Sequence, residues 1–177
     1  MAEISNWYDV FSSFELPRDE AGNIPRSRMK HQPFWAMVEN RVPGLSSAMG
    51  CYIFALGTAS PKPWYVGKTK RSFRGECLNS YQRSIYNDVL ARRNGTPRLF
   101  FLAKVTERGA FARGDTHHRN IDLLETTLIG ALLQRNSELE NTHKAGFSRS
   151  TSIPGFLNPP VGRLTDEEKA LKELIGI

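Results

Sequence analysis

The sequence predicts an α+β fold: a small antiparallel β-sheet of about three strands, flanked by α-helices. Three observations carry this expectation. Two short aromatic and aliphatic runs, Tyr52 to Leu56 and Trp64 to Val66, each stop at a glycine and read as a hairpin with a loop longer than two residues. Pro97 to Val105 is almost continuously apolar and reads as a third, buried strand. Over about 118 to 135, apolar residues recur every three or four positions, which is the stripe of an amphipathic helix.

Taken in order, the first 48 residues combine Trp7, Tyr8, Phe11, Phe14, Phe34 and Trp35 with a turn-rich centre around Asp19 to Pro25. Two short helices are expected there, about 5 to 14 and 33 to 41, with the aromatics packing the segment onto the body. Arg26, Arg28, Lys30 and His31 form a small basic cluster in it. Pro61 and Pro63 belong in the hairpin loop or at the start of the second strand, because proline donates no ladder hydrogen bond. Ser72 is suited to cap a helix running to about Asn79, and a second helix over about 82 to 93 ends at Asn94-Gly95. Residues 106 to 117 read as an exposed loop, and 147 to 164 as a stretch rich in Gly, Pro and Ser. A closing helix starts at Thr165, with Glu168 completing a capping box and Leu171, Leu174 and Ile175 packing it down.

Composition narrows the function. A chain of 177 residues, 40% hydrophobic, suits a single body with a sizeable core. Its 24 Lys and Arg exceed its 18 Asp and Glu, giving +6, and the excess is local. Between Lys62 and Arg98 there are nine basic residues against Glu76 and Asp88, so the rest of the chain is slightly acidic. Such a zone is either an electrostatic footprint for phosphates or a solvated cationic face. Two cysteines, Cys51 and Cys77, exclude a thiolate zinc site and a disulfide framework. With no basic and apolar leader at the N-terminus and no long apolar run, a cytoplasmic protein that spans no membrane is expected.

Two further residue sets invite chemistry. Glu125 falls within the stripe made by Ile121, Leu124, Leu128 and Leu132. A carboxylate there is costly unless an arginine pairs with it or a metal binds it. Asn136 and Asn141 follow, and an asparagine before a turn is ordinary capping chemistry. His117, His118 and His143 lack a metal-ligand spacing and read as loop or surface residues.

The pairing of Gly-Cys-Tyr-Ile at 50 to 53 with Tyr-Val-Gly-Lys-Thr at 65 to 69 resembles the GIY-YIG nucleases, whose two tripeptides lie on adjacent strands. Cys51 and Val66 depart mildly from the usual residues. The resemblance spans about 48 to 146, which divides the chain into an N-terminal extension (1 to 47), a nuclease-like domain (48 to 146) and a C-terminal extension (147 to 177). It implies Mg²⁺-dependent hydrolysis of DNA phosphodiester bonds, with Mn²⁺ as a substitute, by a restriction-like or structure-specific endonuclease.

Site residues follow from the same resemblance. Glu125 stands at the place of the metal-binding glutamate. Tyr52 and Tyr65 are the tyrosines beside the phosphate, and either one is placed to position or activate water. Lys68 matches a lysine frequent after the second tripeptide, and Asn141, with Asn136 as the alternative, matches a site asparagine. Arg74 best fits the phosphate-clamping arginine, with Arg71 the other choice; Lys68, Lys70, Arg71 and Arg74 are the expected DNA contacts. A tyrosine with an ordinary pKa near 10 is a poor base, so adjacent cations such as Lys68 or the metal are expected to favour its phenolate. The rival reading is a non-cleaving nucleic-acid-binding module on a degenerate site. A carboxylate among cations favours the enzyme, since a pure binder has no use for it.

Overall fold

The computed structural model of the chain describes residues 6–112, 119–141 and 163–175. Its strands are β1 (Trp7–Glu15), β2 (Gly50–Leu56), β3 (Lys62–Thr69) and β4 (Pro97–Val105). They form one antiparallel sheet in the order β1-β4-β2-β3. The helices are α1 (Gln32–Arg41), α2 (Phe73–Glu76), α3 (Ser80–Arg92), α4 (Arg119–Leu133) and α5 (Asp166–Ile175). No helix among the described residues is long and apolar enough to cross a membrane.

The α+β class holds, but the sheet has four strands where three were expected. The additional strand is β1, over the segment expected to be a helix at about 5 to 14. Phe11 and Phe14 are spaced by three, as on a helix face, and the ladder to β4 shifts register between them. A bulge adds one residue to the strand there, so residues three apart can serve the same side of a sheet. Pairing with the apolar β4 then decides the conformation, as tertiary context does for short aromatic segments. The second expected N-terminal helix is α1.

The hairpin is as expected, with Pro63 at the start of β3 opposite Ala55 and beside a register shift between Phe54 and Ala55. Ser72 caps α2 by accepting from the Gly75 amide. The helix expected to run through Asn79 is divided, because the Asn79 side chain accepts from the amides of Tyr81 and Gln82 and starts α3 instead.

The sheet is covered on both faces. One face carries Tyr52, Phe54, Leu99 and Phe101 against Phe14, Trp35, Val38, Phe73, Tyr86 and Val89. Rings interlock there, Phe54 stacking on Tyr86 at 4.2 Å and Phe73 tilting over Phe101 at 4.8 Å. Phe14, Phe34 and Trp35 are buried, so these aromatics of the N-terminal segment do pack it onto the body. Each fully buried ring of this size contributes roughly 2–3 kcal/mol. The other face takes α4, whose Ile121, Ile129 and Leu133 pack against Met49, Cys51 and Val66.

At the C-terminal end the expectation fails in one respect. No described side chain of α5 is buried, and Leu174 is 83% exposed. Glu168 and Ile175 of that helix have side chains outside the described residues, as do His117, His118, His143 and the stretch 147 to 162. Cys51 and Cys77 are buried thiols outside any disulfide, and Cys51 Sγ donates to the Ile121 carbonyl.

Candidate active site

The hairpin register sets Tyr52 opposite Gly67 and Phe54 opposite Tyr65. Alternation along β3 then turns Tyr65 and Gly67 to the aromatic face and Val66 and Lys68 toward α4. The Tyr52 and Tyr65 rings lie 6.4 Å apart. Tyr52 is fully buried, and its hydroxyl has no hydrogen-bond partner among the described residues. Tyr65, on the sheet edge, retains 9% exposure.

Burial pushes the Tyr65 phenol up to about 12, with the carboxylates of Glu125 and Glu76 adding to the shift and Gln82 opposing it. Burial raises Tyr52 well above the ordinary tyrosine range. The expectation that Lys68 favours a phenolate is therefore corrected: desolvation dominates for both tyrosines and keeps both phenols neutral. Lys68 does not serve them, because its ammonium is engaged on the other side of the strand.

There, Lys68 Nζ lies 3.0 Å from Glu125 Oε2 and 2.5 Å from Asp122 Oδ1. Lys70 Nζ lies 2.8 Å from Asp122 Oδ2. Glu125 is 8% exposed, and inside the apolar stripe its carboxylate pairs with the Lys68 ammonium of β3. Together the lysines hold the Asp122 carboxyl down at about 2, chiefly through their hydrogen bonds. Asp122 was missed in the sequence. The available signal was its spacing, three before Glu125 and so on the same helical face.

Asn141 is buried and serves the backbone of β3. Its Oδ1 accepts from the Val66 amide at 2.8 Å and its Nδ2 donates to the Val66 carbonyl at 2.6 Å. Asn136 donates to the Pro63 carbonyl, and the Glu140 amide to that of Trp64. The segment from Asn136 to Asn141 thus satisfies the outer edge of β3 in place of another strand. Both asparagines hold the strand that carries Tyr65 and Lys68.

The arginines are placed differently. Arg74 is exposed on α2 and lines a cavity of about 510 Å³ with Arg28, Ser46, Ser47 and Ser72, where it also acts electrostatically on Glu39. Arg28, from the basic cluster of the N-terminal segment, is thereby brought beside the hairpin domain. Of the nine basic residues between Lys62 and Arg98, six are ion-paired: Lys62, Lys68, Lys70, Arg92, Arg93 and Arg98. Their partners, Glu15, Asp122, Glu125, Glu138 and Glu140, come from elsewhere in the chain. The local excess in the sequence is largely neutralised by folding. Arg71 and Arg74 make no ion pair within 4.0 Å among the described residues and remain exposed.

No family model matches the chain, no curated protein matches it, and no solved structure matches it.

Glu125 offers the hard oxygen donor that Mg²⁺ or Mn²⁺ prefers. Among the described residues no three His, Cys, Asp or Glu side chains gather into a metal cluster. A metal held from the protein by Glu125 would need water and phosphate oxygen for the rest of its shell. In this structure Lys68 Nζ occupies one oxygen of that carboxylate, and a metal would have to compete with it.

Proposed function

We propose that the chain is a metal-dependent endonuclease acting on DNA phosphodiester bonds, with Glu125 as its metal ligand. The observation that carries the reading is the meeting of Lys68 with Glu125 beside β3, the strand whose opposite face carries Tyr65. Lys68 and Glu125 lie far apart in sequence, and the resemblance names both as site residues.

Each residue has a role that its geometry supports. A metal on Glu125 would supply charge stabilisation at the phosphate and make an attacking water more acidic. Lys68, displaced from Glu125, offers its ammonium to a non-bridging phosphate oxygen. Tyr65 is the edge phenol, neutral and able to donate to phosphate or orient water. Tyr52 fills the core beneath it. Asn141 holds Val66 and thereby the register of Tyr65 and Lys68. Arg71 and Arg74, exposed and outside the ion pairs, are suited to the flanking backbone phosphates.

The test is a nicking and cleavage assay on supercoiled, linear and branched DNA with Mg²⁺ or Mn²⁺. Glu125→Gln is expected to lose cleavage by about a hundredfold or more while retaining DNA binding. Cleavage by Glu125→Gln at the wild-type rate overturns the assignment. A wild type that binds DNA and cuts none of the substrates moves the protein to the non-cleaving binding reading.

A further inference from the structure

Asp122 and Glu125 are successive members of one face of α4, and both touch the same ammonium. Because two carboxylate oxygens meet one nitrogen, the carboxylates stand within a few ångströms of each other. Two anions that close repel unless cations hold them, and Lys68 and Lys70 are those cations. The four charges cancel. This arrangement has a consequence for polyanion binding, since Lys68 and Lys70 are neutralised by Asp122 and Glu125 together.

We propose that Asp122 is a positioning residue of the site: it pins Lys68 between itself and Glu125, holds Lys70 alongside, and releases both when phosphate and a divalent cation arrive together. The proposal rests on the nuclease reading and specifies how that site is kept in its resting state. Lys68 bridges the two carboxylates; a cation held by Glu125 would displace the ammonium, and Asp122 would keep it beside the site. Lys70 remains on the solvent side, 40% exposed, where a backbone phosphate can compete for it.

Charge arithmetic fixes the signs. Removing the negative charge of Asp122 makes the neighbourhood of Glu125 more positive, which weakens binding of a divalent cation and strengthens binding of DNA. A residue that only supports the fold moves both affinities downward when it is replaced. The two readouts separate these roles without using catalysis.

The experiment compares full-length wild type, Asp122→Asn and, as a control for net charge, Glu107→Gln on the turn after β4. Mn²⁺ binding is measured by calorimetry without DNA, and binding of a fluorescent duplex is measured in EDTA at two salt concentrations. For Asp122→Asn the expected result is an Mn²⁺ affinity lowered about threefold or more and a duplex affinity raised by a similar factor at low salt. Glu107→Gln is expected to change Mn²⁺ binding by less than about twofold. Loss of both affinities in Asp122→Asn makes the residue structural and overturns the proposal, as does no change in either. A wild type that cuts DNA while Asp122→Asn behaves like it defeats the proposal alone. A wild type that binds neither Mn²⁺ nor DNA defeats the nuclease reading and the proposal together.

Discussion

The Tyr52 ring lies directly across Gly67 on the neighbouring strand. A β-carbon at position 67 would stand 2.2 Å from Tyr52 Cζ and 2.3 Å from its hydroxyl. Since Tyr52 is fully buried against Phe73 and Tyr86, the ring has no room to retreat. Gly67→Ala is therefore expected to lower stability by about 1–3 kcal/mol, as overpacking does. Urea unfolding checks it. Adding Tyr52→Phe is expected not to restore the loss, because Cζ clashes as closely as the hydroxyl.

The two tyrosines are expected to part in function. The buried Tyr52 hydroxyl makes no well-formed hydrogen bond among the described residues and interacts with the Tyr86 phenol, so Tyr52→Phe should change stability by no more than about 1 kcal/mol. It should also retain cleavage within about tenfold. Tyr65 is the phenol at the sheet edge, and Tyr65→Phe should reduce cleavage by about a hundredfold with DNA binding preserved. Single-turnover rates of the two variants decide this; a larger loss in Tyr52→Phe reverses the assignment.

Much of this was legible in the sequence, and the rest was hidden for physical reasons. The hairpin and β4 are written as short apolar runs between glycines and prolines, and Glu125 announces itself as a charge in an apolar stripe. β1 was misread because a bulge imposed a helix-like spacing on a strand. The basic zone was overread, since one-dimensional charge counts omit the acids that folding brings to it. Asp122 went unnoticed because its importance depends on two lysines from another element. The role of Asn141 needed the edge of β3 to be seen.

Asn141 is predicted to act through strand order. Asn141→Ala removes both bonds to Val66, and Asn141→Asp sets a carboxylate oxygen against the Val66 carbonyl. Each is expected to cost about 1–3 kcal/mol. Amide hydrogen exchange is the sharper measurement: the Val66 amide should lose protection in Asn141→Ala while amides in β4 keep theirs. Equal loss throughout the sheet would indicate a global effect instead.

Asp122 gives the pH prediction. Its carboxyl is held at about 2, below its ordinary value, so the unfolded chain takes up the proton first as pH falls. The stabilisation is present above about pH 4 and is lost as the pH drops through about 2. Its side chain is 36% exposed, so solvent screening limits the contribution to under about 1 kcal/mol. The stability difference between wild type and Asp122→Asn is expected to shrink from neutral pH to about pH 2. A difference that grows in acid contradicts the ion-pair origin.

The exposed arginines are expected to dominate the salt dependence of DNA binding. Each phosphate contact contributes roughly 0.9 to the slope of log affinity against log salt on duplex DNA. Arg71→Ala with Arg74→Ala should therefore flatten the slope by about 2. Arg92→Ala with Arg93→Ala should change it by less than about 0.5, because those side chains are already committed to Glu140 and Glu138. Anisotropy titrations across a salt series measure all three proteins on one probe. Equal flattening by both pairs would mean that the ion pairs on the far edge open for DNA, and the footprint would then extend along the whole of the basic segment.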